Sequence, residues 1–286
     1  MNILLFYKNS TYAGYFLSDR RRLARMKGIL DQEEINRFRR THDNHFWTLS
    51  YVEAVLKMRG LKFTKACRGS SLNFGLYDLI ITVGGDGTFL EAARQLKRQV
   101  IWGINSDPNW SVGRFCSGNS QNFEMVLNKV LSNKALVKKF HRLSLSFSDD
   151  SPSINILNDI LVCHHNPGAM SRYYLTVGGV KEEQRSSGVW IATAAGSSGG
   201  LHSAGGKILP QESKEFQYRP RELYHVKNTR YQLKGGSLKS TQRIALTSLM
   251  RDGVVFVDGS HVCQPFSFGS RIFVKSSPNP LKVVFE

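Results

Sequence analysis

Between Tyr77 and Glu91 the chain reads Tyr-Asp-Leu-Ile-Ile-Thr-Val-Gly-Gly-Asp-Gly-Thr-Phe-Leu-Glu, and no other stretch limits its fold as much. Leu79, Ile80, Ile81 and Val83 form a short, β-branched apolar run bounded by glycines, the pattern of a buried strand. Thr88 to Leu96 then follows helical spacing, so Gly84 to Thr88 is a strand-to-helix turn. Two glycines before Asp86 and one after it allow successive N–H groups to face an anion at the helix start. A carboxylate in a phosphate cradle repels its ligand unless it holds a metal bridging phosphate oxygens or takes a proton from an attacking hydroxyl. Both roles belong to phosphoryl transfer; the plainer alternative is a tight turn with Asp86 as the N-cap.

Other phosphate motifs do not fit. A dinucleotide fingerprint counted from Gly85 meets Leu90 where its third glycine belongs, and P-loop spacing ending at Gly206-Lys207 begins at Leu201 and lacks the following Ser or Thr.

Around this turn, strands are expected at Ile3–Tyr7, Leu61–Ala66 and Val100–Ile104. Helices are expected from His42 to Arg59 and over residues 120–132, where Phe123, Val126, Leu127 and Val130 share a side. Strands alternating with helices predict a parallel sheet with ligands at the carboxyl ends of its strands. Asn105 to Gly113 also follows a strand end and is either a binding loop or a plain connection. Past residue 135 short extended segments dominate, predicting a mainly β domain. His164 and His165 are adjacent, so on a strand they face opposite ways and are read as structural.

Gly196 to Gly206 mixes five glycines with Ser197, Ser198 and Ser203, suiting close backbone approach to a ligand. The basic, aromatic segment 211–239 is read as a mobile lid, an oligomer contact or a surface insertion. Asp258-Gly259 reads as a hairpin turn.

The 286 residues carry a formal charge of +17, which brings nucleic acid and anionic membranes into consideration, yet no nucleic-acid-binding signature accompanies it. Neither nucleic acid nor stable membrane association is expected. No apolar run is long enough to span a bilayer, and the Arg20–Arg25 stretch is followed by acidic residues, unlike a transit peptide. The expected location is the cytoplasm. Cys67, Cys116, Cys163 and Cys263 stand far apart, which indicates neither a disulfide framework nor a zinc site.

Gly84-Gly85-Asp86-Gly87-Thr88, Asn158-Asp159, Gly196 to Gly206 and Asp258-Gly259, in this order, resemble the NAD kinases from about Ile80 to the C-terminus. Gly103 to Pro108 with Ser111 and Gly113, Ser171 to Tyr174 and Ser186 to Gly188 are most similar to the mitochondrial-type branch. The resemblance implies an α/β N-terminal domain with a parallel sheet, a mainly β C-terminal domain and a site in the cleft between them. The expected boundaries are 1–135, 136–268 and a C-terminal segment, 269–286, that packs back on the first domain.

It further implies transfer of the ATP γ-phosphoryl group to the adenosine ribose 2′-hydroxyl of NAD, with Mg²⁺ accompanying ATP, no dedicated protein metal site, and a homodimer or homotetramer. Asp86 matches the family's general base, with Gly84, Gly85, Gly87 and Thr88 around it. Asn158 and Asp159 match the pair holding adenosine, and Arg185, Ser187, Ser198 and Ser203 complete the implied nucleotide-binding set. Where the family has a Tyr against the ligand this chain has Gly200, and Ser187 stands where most members have Asp. A lipid kinase of the diacylglycerol type and a dinucleotide-binding module without catalysis are the competing readings.

Overall fold

The computed structural model describes residues 1–286 apart from 19–20, 22–23, 26–27, 149–151 and 226–229. Parts of the Arg20–Arg25 stretch and of segment 211–239 thus lie outside the described residues. The chain divides into two compact units, Met1–Lys138 with Lys282–Glu286, and Lys139–Leu281.

The first unit begins with β1 (Ile3–Tyr7), α1 (Gln32–Met58), β2 (Phe63–Cys67), β3 (Leu79–Gly84), α2 (Asp86–Gln95), β4 (Val100–Asn105), α3 (Phe123–Leu131) and β5 (Val137–Phe140). β1 lies parallel between β2 and β3, and β3 is parallel to β4. Every residue of β3 is buried, as its apolar run requires. The helix expected from His42 begins ten residues earlier, because Asp31 and Glu34 close a reciprocal capping box, each carboxylate accepting the other residue's N–H at 2.8 and 2.9 Å. One face of α1, including Leu49, Val52 and Leu56, packs with Phe123, Val126 and Leu127 of α3 on Ile3, Ile81, Val83 and Trp102.

The second unit continues with β6 (Leu143–Ser146), β7 (Ile154–Ile156), β8 (Asp159–His164), β9 (Ser171–Val177), β10 (Val180–Ser186), β11 (Val189–Thr193), α4 (Gly200–Ser203), β12 (Phe216–Pro220), β13 (Gly236–Leu238), β14 (Arg243–Ser248), β15 (Gly253–Val257), β16 (Val262–Pro265) and β17 (Arg271–Ser276). They form two six-stranded sheets, ordered β10-β9-β14-β17-β6-β7 and β13-β12-β11-β8-β15-β16. Ile160, Val162, Ile191 and Val255 of one sheet meet Tyr173, Leu175, Leu246 and Val274 of the other in a shared core.

The final strand, β18 (Leu281–Val284), runs parallel to β4, giving the first sheet the order β2-β1-β3-β4-β18-β5. The change of unit falls at Leu281, not at 269, because β17 is hydrogen-bonded to β14 and β6 within the second unit. Segment 211–239 also differs from the lid or surface insertion expected. It supplies β12, an interior strand between β11 and β13 with Phe216, Gln217 and Tyr218 buried.

In the first sheet the chain moves from β1 to β2 on one side and to β3 on the other. At such a reversal the connections diverge and leave a crevice at the carboxyl ends of the strands. Lys8 and the turn at Gly84–Asp86 stand at those ends.

Candidate active site

The turn after β3 is formed by bare main chain. A Cβ on Gly85 would stand 2.6 Å from Ser111 Oγ, and one on Gly84 would collide with the Thr88 hydroxyl. Gly85 is the N-cap of α2 and Asp86 its first residue, so Asp86 is not the N-cap the plainer reading required. Its carboxylate accepts the main-chain N–H groups of Arg114 (3.0 Å) and Phe115 (2.9 Å), one on each oxygen. A carboxylate oxygen has two lone pairs, so each can still accept a hydroxyl proton. Thr88 is buried, and its Oγ1 has no hydrogen-bond partner.

Two cations missed by sequence reading flank this turn. The Lys8 side chain lies against Gly84, and Arg68 Nη1 stands 3.5 Å from the Cβ position of Gly87. Arg68 is held by Glu91 at 2.7 Å. Burial, then the Arg68 charge, lower the Lys8 pKa, opposed by Asp107. Lys8 was legible only as the residue that follows a buried strand at its carboxyl end; Arg68 carried no signal of its own. Together they provide positive charge beside a glycine turn, which suits phosphate oxygens.

In the second unit Asn158 and Asp159 enter β8 from a compact support. Asp258, itself buried in the turn after β15, accepts the Asn158 N–H at 2.7 Å and the Leu157 N–H at 3.3 Å. Asp258 (φ 49°) and Gly259 (φ 99°) take the left-handed conformations of a tight hairpin turn. The Thr193 hydroxyl donates to the Leu157 carbonyl, and Asn158 Nδ2 donates to Asp159 Oδ2 at 3.1 Å. Gly196 packs directly on the Asn158 carbonyl, where any Cβ would collide, and the Cβ position of Gly199 is 3.5 Å from Asp159 Oδ2. Burial, aided by the Asp258 charge, pushes the Asp159 carboxyl up to about 7.

The other implied residues are distributed differently. Ser197 is buried and staples its own turn, donating to the Ala194 carbonyl and accepting the Leu209 N–H. Ser198 is half-buried next to it, and Ser203 ends α4 exposed. Arg185 lies on β10, 3.5 Å from Glu183, and Ser187 lies in the corner between β10 and β11. Asp159 pairs with Ala192 at the far end of β11. At about 3.3 Å per residue the near end of β11, Val189, lies roughly 10 Å from there along the strand, and Ser187 precedes it by two residues. Gly200 has a local reason: a Cβ there would stand 2.6 Å from Trp190 Cζ2, so the indole fills the space a side chain would need.

A family model described as the ATP-NAD kinase N-terminal domain matches residues 54–135. The chain is 31% identical over 263 residues to a probable NADH kinase of Oryza sativa subsp. japonica, covering 84% of this chain and 81% of that protein. It is 31% identical over 236 residues to an NADH kinase of Arabidopsis thaliana, covering 72% of each. The crystal structure of an NAD kinase from Archaeoglobus fulgidus in complex with ATP superposes with a TM-score of 0.70 at 24% identity, over 99% of this chain and 93% of that one, and so shares its fold.

Proposed function

The chain belongs to the NAD kinase family, and from that premise we propose that it transfers the γ-phosphoryl group of ATP to the adenosine ribose 2′-hydroxyl of NAD. The observation that carries this reading is the Asp86 carboxylate, fixed by two main-chain N–H groups at the end of a bare glycine turn and flanked by Lys8 and Arg68. Asp86 accepts the hydroxyl proton, while Lys8, Arg68 and the N–H groups of the turn bear the charge of the transferring group. Asn158 and Asp159 hold the adenosine, the amide matching the donor and acceptor edge of adenine and the carboxylate accepting from ribose hydroxyls. Gly84, Gly85, Gly87 and Thr88 admit the phosphates, and Ser198 borders the nucleoside.

Mg²⁺ suits this arrangement as an ion carried on the donor phosphates, whose charge it neutralises. Among the described residues no three His, Cys, Asp or Glu groups could hold a metal by themselves. Arg185, Ser187 and Ser203 stay in the proposal as nucleotide contacts, and the place of Ser187 in the corner before β11, away from Asp159, favours its acting on the nucleotide of a neighbouring copy in a homodimer or homotetramer. NADH is a second acceptor in this reading, favoured by two relatives named NADH kinases. Among the described residues no helix is long and apolar enough to cross a membrane, and the cytoplasm is the proposed compartment.

A coupled assay with ATP or polyphosphate as donor and NAD or NADH as acceptor tests the reaction. Asp86→Asn should lose roughly 10²- to 10⁴-fold in kcat, the usual worth of a general base, with its melting curve intact. Near-normal turnover in that variant would remove Asp86 from the mechanism.

A further inference from the structure

The first unit holds a cavity of about 410 Å³ that the reading above does not use, within the size range of small-molecule sites. Asn44, Trp47, Asp107, Asn109, Asn119 and Gln121 contribute to its lining, which contains no Lys, Arg or His. Such a wall offers carboxamides with both donors and acceptors, but no charge to attract a phosphate. Trp47 is largely exposed, and its ring is stacked on Tyr51 at 5.6 Å with 3° between the planes, so it presents a fixed aromatic face. Asp107 is only 4% exposed; its Oδ1 accepts from Asn44 Nδ2 at 3.1 Å, and its Oδ2 is buried without a partner. A buried carboxylate oxygen in that condition calls for a hydrogen-bond donor.

The cavity adjoins the glycine turn. Ser106, in its wall, donates its N–H to the Gly84 carbonyl at 3.0 Å. The buried His45 ring joins the Ser106 hydroxyl (2.9 Å) to the Lys8 carbonyl (2.7 Å). A ligand with an aromatic, hydrogen-bond-donating end and an anionic end therefore meets a pocket of amides and one carboxylate next to a cationic turn. We propose that this cavity binds the nucleoside of the phosphoryl donor, its base against Trp47 and its amino or hydroxyl donors toward Asp107, with the phosphates at Lys8 and Gly84–Gly87. This rests on the kinase reading, in which the acceptor's adenosine is taken by Asn158 and Asp159.

The test compares wild type with Trp47→Ala, which removes an exposed ring, and Asn109→Trp, which fills the cavity from its loop. Each should raise the KM for ATP by about tenfold or more, the scale of a lost base-stacking contact, with the KM for NAD changed less than about twofold. Each should also bring the kcat/KM ratio of ATP to GTP toward one. A rise in the KM for NAD alone, or unchanged constants in both variants while NADP still forms, overturns the assignment. Failure of the kinase reading shows separately, as wild type that forms no NADP or NADPH with any donor. In that event titration with AMP decides: quenching of tryptophan fluorescence that is lost in Trp47→Phe supports the site, and equal quenching in both proteins overturns it.

Discussion

Among the described residues, Asp159 and His45 are two buried groups whose shifted protonation contributes to the pH response. The Asp159 carboxyl titrates near 7 in the folded protein and near 3.8 when unfolded, chiefly because burial penalises its charge. Between those values the native state holds a proton the unfolded state has lost, so this contribution to stability falls as pH rises through the window. His45 is shifted the other way, from 6.5 to about 4, again mainly by burial. Its contribution is complete above 6.5 and is lost as pH falls toward 4. The two effects, each on the order of 3 to 4 kcal/mol, oppose one another between pH 4 and 6.5. Asp159→Asn should therefore leave urea-derived stability falling steadily from pH 6.5 to 4, a slope to which the more buried His45 and then His141 contribute, and should raise the melting temperature at pH 8. A flat profile in that variant would deny the His45 shift. If Asp159 accepts ribose hydroxyls, nucleotide binding favours its ionised form and releases a proton near pH 7. Calorimetry in buffers of different ionisation enthalpy measures that release.

At the scale of elements, the first glycine turn was legible because its signal is local: Gly-Gly-Asp-Gly between a β-branched run and a helix reads as a strand-to-helix turn. The support beneath Asn158 was not legible, since Asp258, Thr193 and Gly196 reach it from distant points of the chain. Gly196→Ala should displace the Asn158 carbonyl and lower stability by roughly 2 kcal/mol or more, as overpacking does, with nucleotide affinity lost alongside. Gly200→Ala should be destabilising through its collision with Trp190, and Trp190→Ala in the same chain should recover much of that loss; a double-mutant cycle in chemical denaturation measures the coupling. The early start of α1 was written in Asp31 and Glu34, a capping box hidden in a polar, weakly periodic stretch. The strand at Phe216–Pro220 was hidden differently, by basic and aromatic neighbours that imitate a surface insertion.

For the whole molecule, the last residues matter beyond their number. Lys282 and Val283 pair with Val100 and Ile101 of β4, Ser117 Oγ donates to the Val284 carbonyl, and Glu286 pairs with Lys129 and accepts the Leu136 N–H. Removing Lys282–Glu286 takes out most of the strand between β4 and β5 and leaves a bare edge on each, so that unit should lose protection in hydrogen exchange while β8, β11 and β15 of the second keep theirs. Equal protection in both units would assign the tail no structural part. The sequence by itself determined the class of each unit and the place of its glycine turns, because strand and helix periodicity and glycine turns are properties of neighbouring residues. Only the tertiary structure decided which cations flank Asp86, why residue 200 has no side chain, and where the chain returns to its first sheet. Those follow from packing between segments far apart in the chain, and a contact of that kind leaves no period for a sequence to display.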